Sequence, residues 1–419
     1  MSAILRCVTC NASHPLWEVR YTCTCGGLLD VVHDPATLAT TGPFHFDARL
    51  TSRRRLDRSG VWRFREAVVD LDAHDVVSLP EGGTRVYAHP RLNAYAGVDD
   101  VVFKHEGDNP TASFKDRGMT VATSVARRVG ARAVACASTG NTSASLAAYA
   151  AQAGMRAFVL VPAGKISVSK LAQTLAYGAR VLRVAGDFDA AMALVRQASE
   201  ALGVYLLNSI NPFRIQGQKT IAWELLQDLV WDPPDWVVLP AGNLGNTSAI
   251  GQALLEAHRA GWIRRVPRLA SVQAAGANPF YRSFREGFAT RHRVVAETVA
   301  SAIRIGDPVS HDKARRVIQE LRGVVTEVPD EEILRAKRAL DGAGIGCEPA
   351  SACSLAGTRR LVADGVIRPH ERVACILTGH VLKDPDAVTL PVPGEPTRDS
   401  QVVDVDATLD GVKAAFERT

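Results

Sequence analysis

No apolar run in the 419 residues approaches the ~20 needed to cross a bilayer, so no membrane-spanning helix is expected. Met1-Ser-Ala-Ile-Leu-Arg-Cys7 lacks a basic head followed by an apolar segment, and the N-terminus is not read as a secretory signal. An excess of one charge is also missing: 49 Lys and Arg against 44 Asp and Glu leave +5, and Arg53-Arg54-Arg55 is the only tight basic cluster. So small and dispersed a balance speaks against nucleic acid as a partner, and a solvated linker suits the triplet better. No segment repeats at a fixed period of about 20 to 50 residues. Low complexity is absent as well. With 47% hydrophobic and 22% charged residues, neither a disordered chain nor a collagen is possible. A cytoplasmic globular protein of roughly two to three domains remains.

Eight cysteines are unevenly placed, four of them as Cys7-Val-Thr-Cys10 and Cys23-Thr-Cys25. In a reducing compartment a disulfide framework is not expected. Four thiolates would make a closed tetrahedral site of the kind that holds structural zinc. The second pair encloses one residue instead of two, so a metal-free ribbon is the alternative. In either case residues 1–35 form a small structural unit, too short to bury a core without a staple. Cys136, Cys347, Cys353 and Cys375 lie in apolar segments and read as small buried hydrophobes.

Beyond a connector at Ala36–Pro43, short apolar runs alternate with Ala-rich helical patterns from about residue 84. Strands are expected at Val101–Phe103, Ala131–Cys136, Arg156–Val161, Arg180–Val184, Asp235–Leu239, Arg268–Gln273 and Arg372–Leu377. Helices are expected at Thr142–Ala153, Asp189–Leu202, Thr220–Leu229, Thr247–His258 and Asp330–Leu340. This rhythm predicts α/β architecture, doubly wound parallel sheets with helices on both faces. A polar tail from Asp386 closes with a short helical pattern at Leu409–Phe416.

In such sheets ligands bind where strands feed helix N-termini, and four junctions here carry unusual residues. The first, Glu106 to Gly118, puts Lys115 at the start of a helix, where the macrodipole disfavours a cation. It is either a surface lysine or an amine of depressed pKa suited to covalent chemistry. Ser138-Thr-Gly-Asn-Thr142 offers hydroxyls, an amide and backbone N–H groups to a small anion, more than a plain N-cap requires. Gly242-Asn-Leu-Gly-Asn246 lets a backbone approach an anion closely; it is neither G-x-G-x-x-G nor a P-loop, so a lone phosphate ester fits better than a dinucleotide. A tight turn is the plain alternative. Thr378-Gly-His380 places one hydroxyl at a strand's carboxyl end, either facing a heteroaromatic nitrogen or capping the turn.

Taken in order, Ser113-Phe-Lys115-Asp-Arg-Gly, Ser138-Thr-Gly-Asn-Thr, Gly242-Asn-Leu-Gly-Asn and Thr378-Gly-His resemble the fold-type II pyridoxal-phosphate (PLP) enzymes. Asn208-Ser-Ile-Asn-Pro-Phe-Arg214, Ala302-Ile-Arg-Ile-Gly306 and Cys347-Glu-Pro-Ala-Ser351 bring the resemblance closest to the threonine synthase branch. It covers roughly residues 80–385, and many members also carry an N-terminal cysteine unit. It implies a zinc-ribbon-like unit at 1–35, a large PLP-binding domain of 36–103 and 204–385, a small mobile domain of 104–203 and a tail of 386–419.

The resemblance also assigns roles. Lys115 would hold PLP covalently and serve as the catalytic base. Gly242, Asn243, Leu244, Gly245 and Asn246 would cradle the cofactor phosphate, Asn141 would bond the ring 3′-oxygen and Thr378 the ring nitrogen. A neutral partner at that nitrogen suits elimination and replacement better than transamination. Ser138, Thr139 and Thr142 would bind the substrate carboxylate, and Asn208, Ser209 and Arg214 a second phosphate. Arg214 as a helix-start residue paired with an acid is the plainer alternative. The implied reaction converts O-phospho-L-homoserine and water to L-threonine and phosphate, in a homodimer. A dehydratase, which needs no second anion site, a cysteate-synthase-like enzyme and a non-catalytic PLP-binding protein are the competing readings.

Overall fold

The computed structural model describes residues 3–163, 168–186, 188–396 and 402–416. At the N-terminus β1 (Ala3–Cys7), β2 (Ser13–His14) and β3 (Leu29–His33) form a small antiparallel sheet in the order β2-β1-β3. The later strands are β4 (Val86–Ala88), β5 (Val101–His105), β6 (Ala133–Ala137), β7 (Arg156–Pro162), β8 (Arg180–Val184), β9 (Tyr205–Leu206), β10 (Trp236–Pro240), β11 (Arg268–Ala274), β12 (Val324–Val328) and β13 (Val373–Leu377). Six of them make one sheet, β12-β11-β10-β13-β5-β4, parallel except for the edge strand β4. Four make a second, β8-β7-β6-β9, parallel throughout. The chain leaves the larger sheet after His105 and finishes the smaller one at Leu206.

The central strands are covered on both faces, which is why their sequences run apolar without alternation. Trp236-Val-Val-Leu-Pro240 and Val373-Ala-Cys-Ile-Leu377 are buried at every position. The expected strands are all present, with ends shifted by a residue or two; β4, β9 and β12 were not anticipated. The helix expected from Thr220 starts earlier, at Pro212, with the Asn211 side chain accepting from the Phe213 N–H at its N-cap.

Two helices fix the middle of the molecule, Lys115–Arg128 and Pro212–Asp228. They touch backbone to backbone: a Cβ on Gly217 would lie 1.7 Å from the Arg117 carbonyl oxygen, and one on Gly118 would lie 3.0 Å from that of Arg214. Beneath the contact lies a buried ionic cluster. Arg117 reaches Glu106 at 2.6 Å and Glu224 at 2.7 Å; Glu224 also meets Lys104 at 2.7 Å and Arg63 at 2.9 Å. The Arg117 charge is held by these two carboxylates, whose removal would leave it unpaired in the interior.

Candidate active site

Lys115 is the first residue of its helix and half-buried. Its amine is pushed down to about 7, chiefly by burial and then by Arg214, with Glu348 opposing. The depression expected from the macrodipole is present, but desolvation and a neighbouring cation are its causes. The preceding residue, Phe114, donates its N–H to the Thr378 carbonyl at 3.0 Å, and Ser113 pairs with Gly379. The first and fourth junctions therefore meet.

The second junction joins them through a carboxylate. Asn141 opens the Asn141–Ala153 helix and donates to Glu348 at 3.0 Å; the Thr378 hydroxyl donates to the other oxygen of Glu348, also at 3.0 Å. Ser351 Oγ accepts from the Thr378 N–H at 2.8 Å and from the Gly379 N–H at 3.0 Å. Burial raises the Glu348 carboxyl in spite of these donors. Ser138 accepts from the Gly140 N–H at 3.2 Å, and Thr139 and Thr142 are half-buried beside it.

At the third junction Leu244 adopts φ 63° and caps the Gly245–Arg259 helix. A Cβ on Gly242 would press on Ile303 at 3.0 Å, and one on Gly245 would come 3.3 Å from Gln218 Oε1. Asn243 accepts from the Val309 N–H at 3.2 Å and leans toward Ser209 at 3.5 Å. Asn246 is 6% exposed, yet neither end of its amide has a partner, and Gln218 Oε1 is equally bare. Buried polar atoms are rarely left in that state. The orphaned Asn246 amide nitrogen, beside a glycine-built loop at a helix N-terminus, fits a bound phosphate.

The Asn208–Arg214 segment lies next to it. Arg214 is 2% exposed and meets no carboxylate among the described residues; one guanidinium nitrogen donates to the Leu207 carbonyl at 3.2 Å and Nε has no partner. Burial lowers its pKa to about 10. The Asn208 amide is engaged at both ends with the backbone of Ala137, at 3.0 and 3.2 Å. Sequence reasoning gave Glu348 and Ser351 no role, although both stand in the Cys347–Ser351 segment; a buried glutamate ahead of a helix-opening proline was the available signal. In the N-terminal unit the ligand atoms of Cys7, Cys10, Cys23 and Cys25 lie within 4.8 Å of one another.

Residues 77–379 match the family described as "Pyridoxal-phosphate dependent enzyme". Threonine synthase of Methanocaldococcus jannaschii is 45% identical over 91% of this chain and 93% of its own length. That of Methanosarcina acetivorans is 44% identical over 98% of both. The chain belongs to the threonine synthase family. Its architecture is that of fold-type II PLP enzymes: threonine deaminase isoform 2 of Solanum lycopersicum superposes with a TM-score of 0.64 at 22% identity, covering 77% of this chain and 90% of that one. Maize serine racemase gives 0.62, also at 22% identity, over 71% and 88%. Membership in the threonine synthase family makes the chain a PLP-dependent lyase of threonine biosynthesis.

Proposed function

We propose that the chain converts O-phospho-L-homoserine and water to L-threonine and inorganic phosphate. The observation that carries this reading is Arg214, a buried guanidinium that meets no carboxylate among the described residues and has a bare Nε. Such a group suits a phosphorylated substrate.

Lys115 would hold PLP covalently, Gly242 to Asn246 its phosphate, Asn141 the 3′-oxygen and Thr378 the ring nitrogen. When bound, the cofactor supplies an electron sink that acidifies substrate Cα. Lys115, as a free amine, would take the proton from Cα, give it up to solvent and take one from Cβ. It would return protons at Cγ once phosphate has left and at Cα once water has added at Cβ. Ser138, Thr139 and Thr142 hold the substrate carboxylate. Arg214 and Ser209, with Asn208 shaping the loop, hold the phosphate and stabilise it as it leaves.

We read the four N-terminal thiols as a zinc site. Their sulfurs approach at 3.5 Å (Cys7 to Cys25) and 3.6 Å (Cys10 to Cys23). Zinc–sulfur bonds of about 2.3 Å put tetrahedral sulfurs about 3.8 Å apart, close to that spacing. The same reading makes the enzyme a cytoplasmic homodimer. The free thiols of Cys136, Cys347, Cys353 and Cys375 support a reducing compartment, and a solution mass about twice 44.9 kDa would bear out the dimer.

The test follows phosphate and threonine together on O-phosphohomoserine; phosphate without threonine would overturn the product assignment. Arg214→Gln should raise KM by at least about tenfold with cofactor binding retained. Kinetics equal to those of the unaltered enzyme would remove Arg214 from the site.

A further inference from the structure

The N-terminal unit grips one stretch of chain from several sides, and that stretch carries Arg214. The Tyr21 hydroxyl accepts from the Leu206 N–H at 2.7 Å, and its ring lies edge-on to Tyr205 at 5.7 Å. Trp17 stacks on Phe213, with 6.4 Å between centroids and 7° between planes. His33 is 7% exposed and donates to Gln216 Oε1 at 3.0 Å, while the Gln216 amide nitrogen donates back to the Val31 carbonyl at 3.5 Å. The unit is itself anchored below, where Lys313 and Arg316 reach Asp30 at 2.8 and 2.6 Å.

These grips bracket Arg214 on both sides. Phe213 precedes it and Gln216 follows by two positions. The carbonyl that orients its guanidinium belongs to Leu207, the residue after the one whose N–H Tyr21 holds. Asn211 closes the same turn, donating to the Leu206 carbonyl at 2.9 Å. Among the described residues no acid pairs with this guanidinium and the Leu207 carbonyl alone directs it, so the backbone that carries both must be held from outside.

We propose that the N-terminal cysteine unit positions Arg214 for the substrate phosphate, through Tyr21, Trp17 and His33. Tyr21, Trp17 and His33 are positioning residues, acting through β9 and the first turn of the Pro212–Asp228 helix without touching substrate. The proposal rests on the assignment of Arg214 to the phosphate.

The experiment compares Tyr21→Phe, Trp17→Leu, Arg214→Gln and the Tyr21→Phe/Arg214→Gln double variant as full-length holoenzymes. Tyr21→Phe and Trp17→Leu should each raise KM for O-phosphohomoserine about fivefold or more, with kcat within about twofold. Inhibition by inorganic phosphate should weaken in parallel, while cofactor absorbance and occupancy stay unchanged. The double variant should lose nothing beyond Arg214→Gln, because both changes remove one interaction. Unchanged KM in both single variants, or losses that add in the double, would overturn the positioning role and leave the substrate reading intact. Loss of folding or of cofactor in both variants would reduce the unit to a structural part and overturn it too. An unaltered KM in Arg214→Gln is the separate result that removes the substrate reading, and this proposal with it.

Discussion

In the proposed function a single amine, that of Lys115, holds a cofactor and moves protons, and its buried surroundings suit both roles. Burial and Arg214 bring its pKa to about 7, whereas an unfolded lysine titrates near 10.4. Between those values the unfolded chain binds more protons, so the stability of cofactor-free protein should climb as pH rises from about 7 toward 10. The slope contributed by this group would be at most about 1.4 kcal/mol per pH unit, and it should vanish below pH 7. Urea midpoints measured from pH 6 to 9.5 check this: the climb should flatten in Lys115→Met relative to the unaltered chain. An identical slope in that variant would place the titrating group elsewhere. Lys115 was legible in the sequence because a lysine opening a helix after a turn is out of place. Glu348 was not, because its meaning lies in Asn141 and Thr378, which come from distant parts of the chain.

Among the elements, the Lys115–Arg128 and Pro212–Asp228 helices decide how closely the reactive amine and Arg214 can approach. Gly217 permits that approach, and a methyl group there would overlap the Arg117 carbonyl. Gly217→Ala should therefore destabilise the fold by about 3 kcal/mol or more, read as a fall in the denaturant midpoint or loss of soluble protein. A change below about 0.5 kcal/mol would show that the helices can part without penalty. The early start of the second helix escaped sequence reading for a physical reason. Residues Pro212 to Gln227 are buried on all sides, so no polar face alternates with an apolar one to mark a helical period. Asn211 followed by Pro212, an N-cap with proline in the first turn, was the available signal. β12 was missed because Val324-Val-Thr-Glu-Val328 is a half-covered edge strand carrying Thr and Glu, and so lacks the apolar run that marked β10 and β13.

Over the whole molecule, the doubly wound sheets and the four junctions could be read from residue order, because each junction is local. Which junctions meet could not, since that depends on strand order. The cysteine unit belongs to this scale as well: it has few buried apolar residues of its own and leans on β9 and the helices around it. Cys23→Ser should lower bound zinc from one per chain, measured by elemental analysis, and reduce the thermal midpoint of the holoenzyme; full zinc content in that variant would exclude Cys23 as a ligand. Strand order has one more outcome. β5 lies between β4 and β13, and only β4 is near it in sequence. During synthesis Val101–His105 must wait with one open edge until Val373–Leu377 leaves the ribosome. The last strand of the larger sheet is also the one that delivers Thr378, so closing that edge and completing the proposed catalytic centre are one event, and a chain released early would carry a sticky, unfinished sheet.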